Sequence, residues 1–595
     1  MSMKQKISRS VLLTLAVSSV FFHLWLVFAG LLPNLVTRPI HLALALPWVF
    51  LVGQKSTFQN VTGWILASTG IGICMWVAFN RVDLMDQYGS LETTGQYVWS
   101  VALVLIVLEM ARRHVKLSLP LVALIALSYG VFGQYLPGEF GHPGIPADAF
   151  WGTLVLTEGG VWGPLTGISL NVIAVFIILG AFVSAGEGGT AFMSLATRIA
   201  GKHRAGPAKV SVLASAFFGS ISGSASANVA STGAFTMPTM KRLGYPASFA
   251  GAVEAVASTG GQIMPPLMGA GAFMMVELLR INYNEVMAAA ILPALLFFFC
   301  VWVSVDHFAK RNNLKGLTEE ELPRWGEVGR LAIFFILPFG VLLLMLFCTD
   351  YTAQYGAAVA TIITAIMLIA DRKGVSKLPA VLARLEQAFL GAAKQMSTVA
   401  AIVICAGVII GVLNMTGLGI KVTSAILGFS GGNLYIALCL TAIACLILGM
   451  EVPTTAAYAI CISVAGPALE QLGLPALYAH LFVFWYALLS TITPPVCGTV
   501  FIAAGMCGAP WLSVANRAMR IGVGLYIVPL ALVANPALIQ LIANPVMALL
   551  AAVKIGSGLW LVSYAVTGQS KNYWQPAVAL VTGFVVIFAF GFGQF

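Results

Sequence analysis

The sequence predicts an all-α polytopic membrane protein, and three observations predict it. The 595 residues are 59% hydrophobic and only 9% charged, with mean hydropathy +0.94. No soluble fold buries that much apolar surface. Apolar runs long enough to cross a bilayer alternate with short loops, and the excess of 31 Lys and Arg over 21 Asp and Glu sits in those loops, where it acts as a topology signal. The third observation is a repeat. The stretch Gly219 to Gly269 returns as Leu448 to Gly498 in one register: the shift of 229 that takes Pro265 to Pro494 also pairs Pro238 with Pro467, Gly244 with Gly473, Pro246 with Pro475, Pro266 with Pro495 and Gly269 with Gly498. Helix breakers inside apolar surroundings leave backbone groups unsatisfied in lipid unless those groups face protein, ions or water. Paired interruptions in two halves of a chain point to a transporter's binding site.

In chain order, Lys4, Lys6 and Arg9 precede an apolar run from Val11 to Leu32. The run is a full bilayer span without a clear small-x-small cleavage site, so it reads as an uncleaved first helix starting in the cytoplasm. Further spans are expected near 40–53, 62–79, 97–111 and 117–133. The basic cluster Arg112, Arg113, His114 and Lys116 reads as cytoplasmic, and the loop with Asp83, Asp86 and Glu92 as external. Residues 1–135 are thus expected to form a helical scaffold, closed by the Pro- and Gly-bearing loop Gln134 to Pro143.

Residues 136–534 form the repeated region, with repeat units at about 180–285 and 411–515. Arg198, Lys202, His203, Arg204 and Lys209 precede the interrupted segment Gly219 to Asn228, and Lys241 and Arg242 follow it. Basic residues on both sides imply a re-entrant helical hairpin that returns to the cytoplasmic face. The next helix, Pro246 to about Glu277, is expected to break at Ser258 to Gln262, before the Pro-Pro pair. Two basic loops follow, Asp306 to Arg330 and Asp371 to Arg384. Around the second hairpin the flanks hold only Lys421 and Glu470, and Arg517 and Arg520 come after its broken helix. The charges have changed ends, so the copies are expected to be inverted; Arg280 counts against this. The tail 535–595 is expected to hold two more membrane-associated segments, one interrupted by Lys554. The nine cysteines show no metal or disulfide spacing and read as small core residues.

The candidate binding residues lie at the interruptions. Ser220, Ser222, Ser224, Ser226 and Asn228 at one hairpin tip, with Thr454 and Thr455 at the other, supply hydroxyls and amides. Freed carbonyls are hard oxygen ligands suited to Na⁺, and helix N-termini suit a carboxylate. Ser258, Thr259 and Gln262, opposite Ser490, Thr491 and Thr493, are expected near these tips, as site residues or as caps of the severed half-helices. Small residues of this kind also permit close helix packing. Glu254 and Glu451 are carboxylates at membrane depth, which are paired, protonated or ion-bound, and so are the candidates for a coupling ion or proton. His480 reads as a polar core residue.

At these motifs the chain resembles the permeases of tripartite ATP-independent periplasmic (TRAP) transporters, in particular fused small-plus-large permeases of the TAXI branch. The resemblance rests on residues 218–228, 251–266, 453–458, 479–484 and Thr493-Pro494-Pro495, and covers about 150–530. It implies an elevator-type transporter of a bacterial inner membrane that takes up an organic acid, by family a dicarboxylate. A periplasmic TAXI-type binding protein would deliver the substrate, a Na⁺ gradient would drive it, and no cofactor beyond that ion and no nucleic acid would be involved. Where the family pattern reads Gly-Met-Gly-Leu-Pro-Thr-Thr, this chain has Gly449-Met450-Glu451-Val452-Pro453, which puts simple Na⁺ coupling in doubt and raises H⁺. A stand-alone ion-coupled anion transporter or exchanger stays open as an alternative. An intramembrane enzyme lacks support, since no His-Glu-x-x-His is present.

Overall fold

The computed structural model describes residues 9–30, 32–54, 56–115, 117–450, 452–568, 572, 574–589 and 591. It is all-α apart from a two-residue antiparallel ladder, Ala370–Asp371 with Gly374–Val375. Among the described residues, ten helices are long and apolar enough to cross a membrane. The five spans expected at the N-terminal end are the helices Arg9–Ala29, Asn34–Phe50, Thr57–Phe79, Thr94–Val115 and Ser118–Phe132. Their ends follow from local chemistry. The Ser56 hydroxyl accepts from the Gln59 N–H at the start of the third, and Arg112, Arg113 and His114 occupy the last turn of the fourth, where cations meet free carbonyls.

Two compact units divide the chain. One comprises residues 1–186, 344–431 and 455–468, the other 187–343, 432–454 and 469–595. In the first, the 39-residue helix Leu378–Thr416 is the spine, packed by Arg9–Ala29, Asn34–Phe50, Ser118–Phe132 and Ala174–Ala185. A π-helical turn, Ser169–Ile173, leads into the last of these. It presents Ser169 to a buried chain of polar groups: His23 Nδ1 to Ser19 O at 2.7 Å, His23 Nε2 to His41 Nδ1 at 2.7 Å, and His41 Nε2 to Ser169 Oγ at 3.0 Å. A carbonyl only accepts, so in the neutral pair the Ser19 carbonyl makes His23 Nδ1 a donor, and each later role follows in turn. The chain thereby ties three helices together with every buried group satisfied.

In the second unit, the first hairpin has arms Gly206–Ser222 and Ala225–Arg242, and the first broken helix has halves Ala247–Gly260 and Ala270–Leu279. By the shift of 229 the counterparts are Leu434–Leu448 with Thr454–Gln471, of which residues 455–468 fall in the first unit, and Ala476–Leu489 with Gly498–Cys507. Lys241 Nζ donates to Cys507 O at 3.0 Å, so the base of the first hairpin lies at the C-terminal end of the second broken helix. The first broken helix begins five residues past that base, at Ala247, and the second ends there. The two broken helices therefore run in opposite senses, as the charge pattern predicted. Arg280 lies at the other end of its helix, where it closes the last turn in a left-handed conformation with φ +53°. Tyr283–Arg311 then returns, opened by a capping box in which Asn282 and Glu285 satisfy each other's backbone N–H.

The tail holds two helices, Pro545–Thr567 and Trp574–Phe588. Lys554 does not interrupt the first, because its ammonium donates to Asn535 Oδ1 at 2.9 Å while Asn535 Nδ2 donates to Ile587 O at 3.0 Å. Of the nine cysteines, all free, Cys348 and Cys439 are exposed, so the core reading holds for the other seven.

Replacing His41 with Leu keeps the volume but leaves His23 Nε2 and the Ser169 hydroxyl without their buried partner. His41→Leu is expected to cost about 1–3 kcal/mol, read as a lowered thermal midpoint of the purified protein.

Candidate functional site

The site is built where the interruptions meet. The first hairpin turns at Gly223, whose φ of +60° is a left-handed conformation that glycine adopts without strain. Ser224 caps the outgoing arm by accepting from the Ala227 N–H at 3.4 Å. Ser220 Oγ donates to Phe217 O at 2.8 Å and Ser222 Oγ to Ser224 O at 3.4 Å, so both fold back on their own turn. Ser226 is exposed.

Gln262 joins the pieces. It is 6% exposed and sits in the single 3-10 turn Gly261–Ile263 before the Pro265–Pro266 bond, which is cis, as is Pro494–Pro495. Its Nε2 donates to Gly223 O at 3.0 Å, its Oε1 accepts from Thr454 Oγ1 at 3.1 Å, and its carbonyl accepts from the Gly269 N–H at 2.8 Å. One side chain thus ties both hairpin tips to the first break. Thr259 and Thr491 meet through their hydroxyls at 3.1 Å, which joins the two breaks. Ser490 Oγ and Thr491 Oγ1 also donate to Ala487 O and Leu488 O, and Thr493 Oγ1 to Leu489 O, so the capping role expected of them is present as well.

Close approach of backbones requires glycine here. A Cβ on Gly219 would lie 2.5 Å from Gly261 Cα, and one on Gly261 would lie 2.6 Å from Ser215 O. In the second copy a Cβ on Gly449 would lie 2.6 Å from Ser490 Oγ, and Ser490 is the position the 229 shift gives to Gly261.

Glu254 lies one turn beyond Ser258 and is fully buried. Ser211 Oγ at 2.6 Å, Ser215 Oγ at 3.1 Å, Ser258 Oγ at 3.4 Å, and the hydroxyls of Thr232 and Thr236 all reach its carboxyl oxygens. No cation among the described residues pairs with it. Hydroxyls donate or accept by rotation, so this ring satisfies an ionised carboxylate as acceptor and a protonated one as donor. Beside it Asn228, also fully buried, donates through Nδ2 to Ser215 O at 2.9 Å and Ser258 O at 3.4 Å. Its Oδ1, a hard oxygen, has no partner among the described residues.

The structure therefore gathers Asn228, Glu254, Ser258, Thr259, Gln262, Thr454 and Thr491 into one polar centre, with Ser490 and Thr493 on its capped edge. Thr455, half-buried, falls in the other unit, and Glu451 lies outside the described residues. His480 is buried, as its reading as a core residue expects. Sequence reasoning missed Ser211, Ser215, Thr232 and Thr236. Their signal was spacing: Ser211/Ser215, Thr232/Thr236 and Glu254/Ser258 are three i,i+4 pairs on consecutive helices, each a polar stripe on one face. It also missed two tyrosines beside the breaks. Tyr283 OH donates to Pro266 O at 2.5 Å and Leu267 O at 3.0 Å, and Tyr526 OH lies 2.7 Å from Thr493 Oγ1.

Two hairpins and two broken helices, inverted around one buried polar centre in a bundle of candidate spans, define a transporter permease rather than an enzyme. The chain belongs to a particular family of these: the DctM component of the tripartite ATP-independent periplasmic transporters matches residues 102–547, about three quarters of its length. It is a multi-pass protein of the inner membrane. It is 26% identical over 201 residues to the C4-dicarboxylate TRAP transporter large permease protein DctM of Pseudomonas aeruginosa, covering 34% of this chain and 47% of that one. The match thus spans about half of that relative's length. To a putative TRAP transporter large permease protein of Haemophilus influenzae it is 24% identical, over 59% of this chain and 81% of the other. To the 2,3-diketo-L-gulonate TRAP transporter large permease protein YiaN of Escherichia coli it is 26% identical, over 57% and 78%.

Gly219→Ala drives a Cβ into backbone and is expected to destabilise by about 1–3 kcal/mol. Gly505→Ala, in a helix where a Cβ meets nothing within 4 Å, is the control and is expected to be neutral or slightly stabilising. Thermal unfolding of the two purified variants checks both.

Proposed function

We propose that this chain is a fused permease of the TAXI branch that takes up an organic acid, a dicarboxylate by family expectation, across the inner membrane. A periplasmic TAXI-type binding protein delivers the substrate, and a Na⁺ or H⁺ gradient drives it through an elevator-like movement of the region that carries the hairpins. The observation that carries this reading is the polar centre at Gln262, where two tips and two breaks from inverted copies converge. Ends of interrupted helices hold anions at their N–H groups and cations at their carbonyls. A large cluster of side-chain cations is not needed for a carboxylate substrate on this account.

Two features support the choice of ions. The hydroxyl ring around Glu254 serves either protonation state, which supports H⁺. The unpartnered Asn228 Oδ1 is a hard oxygen of the kind Na⁺ takes, which supports Na⁺. Glu451, at the tip of the second hairpin in the sequence, is the second candidate for carrying a proton.

The test is uptake of labelled dicarboxylates into proteoliposomes, with and without the periplasmic partner, under an imposed Na⁺ or pH gradient. If H⁺ is the coupling ion, Glu254→Gln is expected to lower pH-driven uptake at least about tenfold while the protein remains folded, because the amide has no proton to give up. Full pH-driven uptake by Glu254→Gln and by Glu451→Gln sinks the proton reading. Uptake that follows Na⁺ alone makes Glu254 a cation ligand or a structural group. Uptake without the partner replaces the whole reading with the stand-alone transporter.

A further inference from the structure

A cavity of about 530 Å³ lies in the first unit at the end of the chain's helices that carries basic loops. One wall is a single face of the Leu378–Thr416 helix, because Glu386, Leu390, Gly391 and Lys394 recur at helical spacing. The facing wall is Arg9 and Leu12 of the first helix, with Trp48 and Val52 at the end of the second. Leu12, Trp48, Val52 and Leu390 make the lining mainly apolar. Nothing fills it at Gly391, where a Cβ would meet no atom within 4 Å.

Its polar groups are unevenly matched. Arg9 pairs with Glu386. Lys394 is exposed and forms no salt bridge among the described residues, so the cavity keeps one uncompensated positive charge. Trp48 is 6% exposed, and its indole N–H has no partner among the described residues. A buried donor without an acceptor costs free energy unless something supplies one. The spine helix has 39 residues and is therefore about 58 Å long, against about 30 Å for a hydrocarbon core. A helix of that length reaches past the hydrocarbon core.

We infer that this cavity holds one anionic phospholipid, with its phosphate at Lys394, the uncompensated cation, and its chains against the apolar lining of Leu12, Val52 and Leu390. Apolar walls select an amphiphile over a free anion. The surplus cation selects an anionic headgroup over a zwitterionic one, since basic side chains at the cytoplasmic leaflet attract acidic lipid. The inference is independent of substrate and coupling ion.

The test equilibrates the full-length purified protein with equimolar phosphatidylglycerol and phosphatidylcholine and reads retained lipid by native mass spectrometry. Wild type is expected to hold one phosphatidylglycerol with a preference of about fivefold, the effect of one cation near an anionic lipid. Lys394→Gln and Lys394→Glu are expected to lose the preference, and Lys394→Arg to keep it. Trp48→Phe, which removes the N–H together with part of the ring, is expected to weaken retention about twofold. Unchanged preference in both Lys394→Gln and Lys394→Glu overturns the site. Displacement of the lipid by millimolar inorganic phosphate also overturns it, because the cavity would then take a soluble anion. Thermal midpoints matching wild type in lipid-free detergent show that a lost preference is not a folding defect.

Discussion

The structure depends on one constraint: a helix interrupted inside apolar surroundings must find partners for its backbone within the protein. Both copies meet it with the same parts. A short turn precedes a Pro-Pro pair, a hairpin tip approaches that turn, and small residues let main chains close up. Gln262 is the central solution in the first copy. Its amide is both donor and acceptor, so it bridges the Gly223 carbonyl and the Thr454 hydroxyl, which a carboxylate or an ammonium could not do alone. The second copy has Thr491 at the matching position, and it contributes a hydroxyl to Thr259 rather than a bridge of its own. The two copies are related in architecture and divided in labour.

Charges buried elsewhere in the protein show what sets Glu254 apart. Lys209 is paired with Asp306 at 2.6 Å, Arg38 with Glu158 at 3.0 Å, and Arg113 with Glu109 at 2.8 Å. Each of these has an opposite charge that offsets its desolvation. Glu254 has hydroxyls only. Dipoles that rotate can follow a change of charge, whereas a fixed cation would hold the carboxylate in one state. That difference lets Glu254, unlike these paired groups, gain or lose a proton without breaking its surroundings.

Much of this was legible in the sequence, and the reasons are physical. Proline and glycine mark interruptions directly, so the register of 229, the four broken elements and their residues at Thr259, Gln262 and Thr454 could be read without a structure. Charge at the loops gave the inversion that the Lys241 to Cys507 contact displays. The donors to Glu254 were not read because serine and threonine in apolar helices look the same whether they ease packing or face a carboxylate. Only the coincidence of i,i+4 pairs on three helices separates the two cases. Lys554 was misread as a break because its partner, Asn535, lies 19 residues away on another element.

The order of the chain gives the Glu254 ring a further consequence, one of biogenesis. Ser211, Ser215, Thr232 and Thr236 are all synthesised before Glu254, and Ser258 follows within a turn. A chain made from its N-terminus delivers the first hairpin to the membrane ahead of the broken helix. Four of the five hydroxyls are therefore already in the chain when the carboxyl arrives, so most of its solvent shell does not wait for later segments.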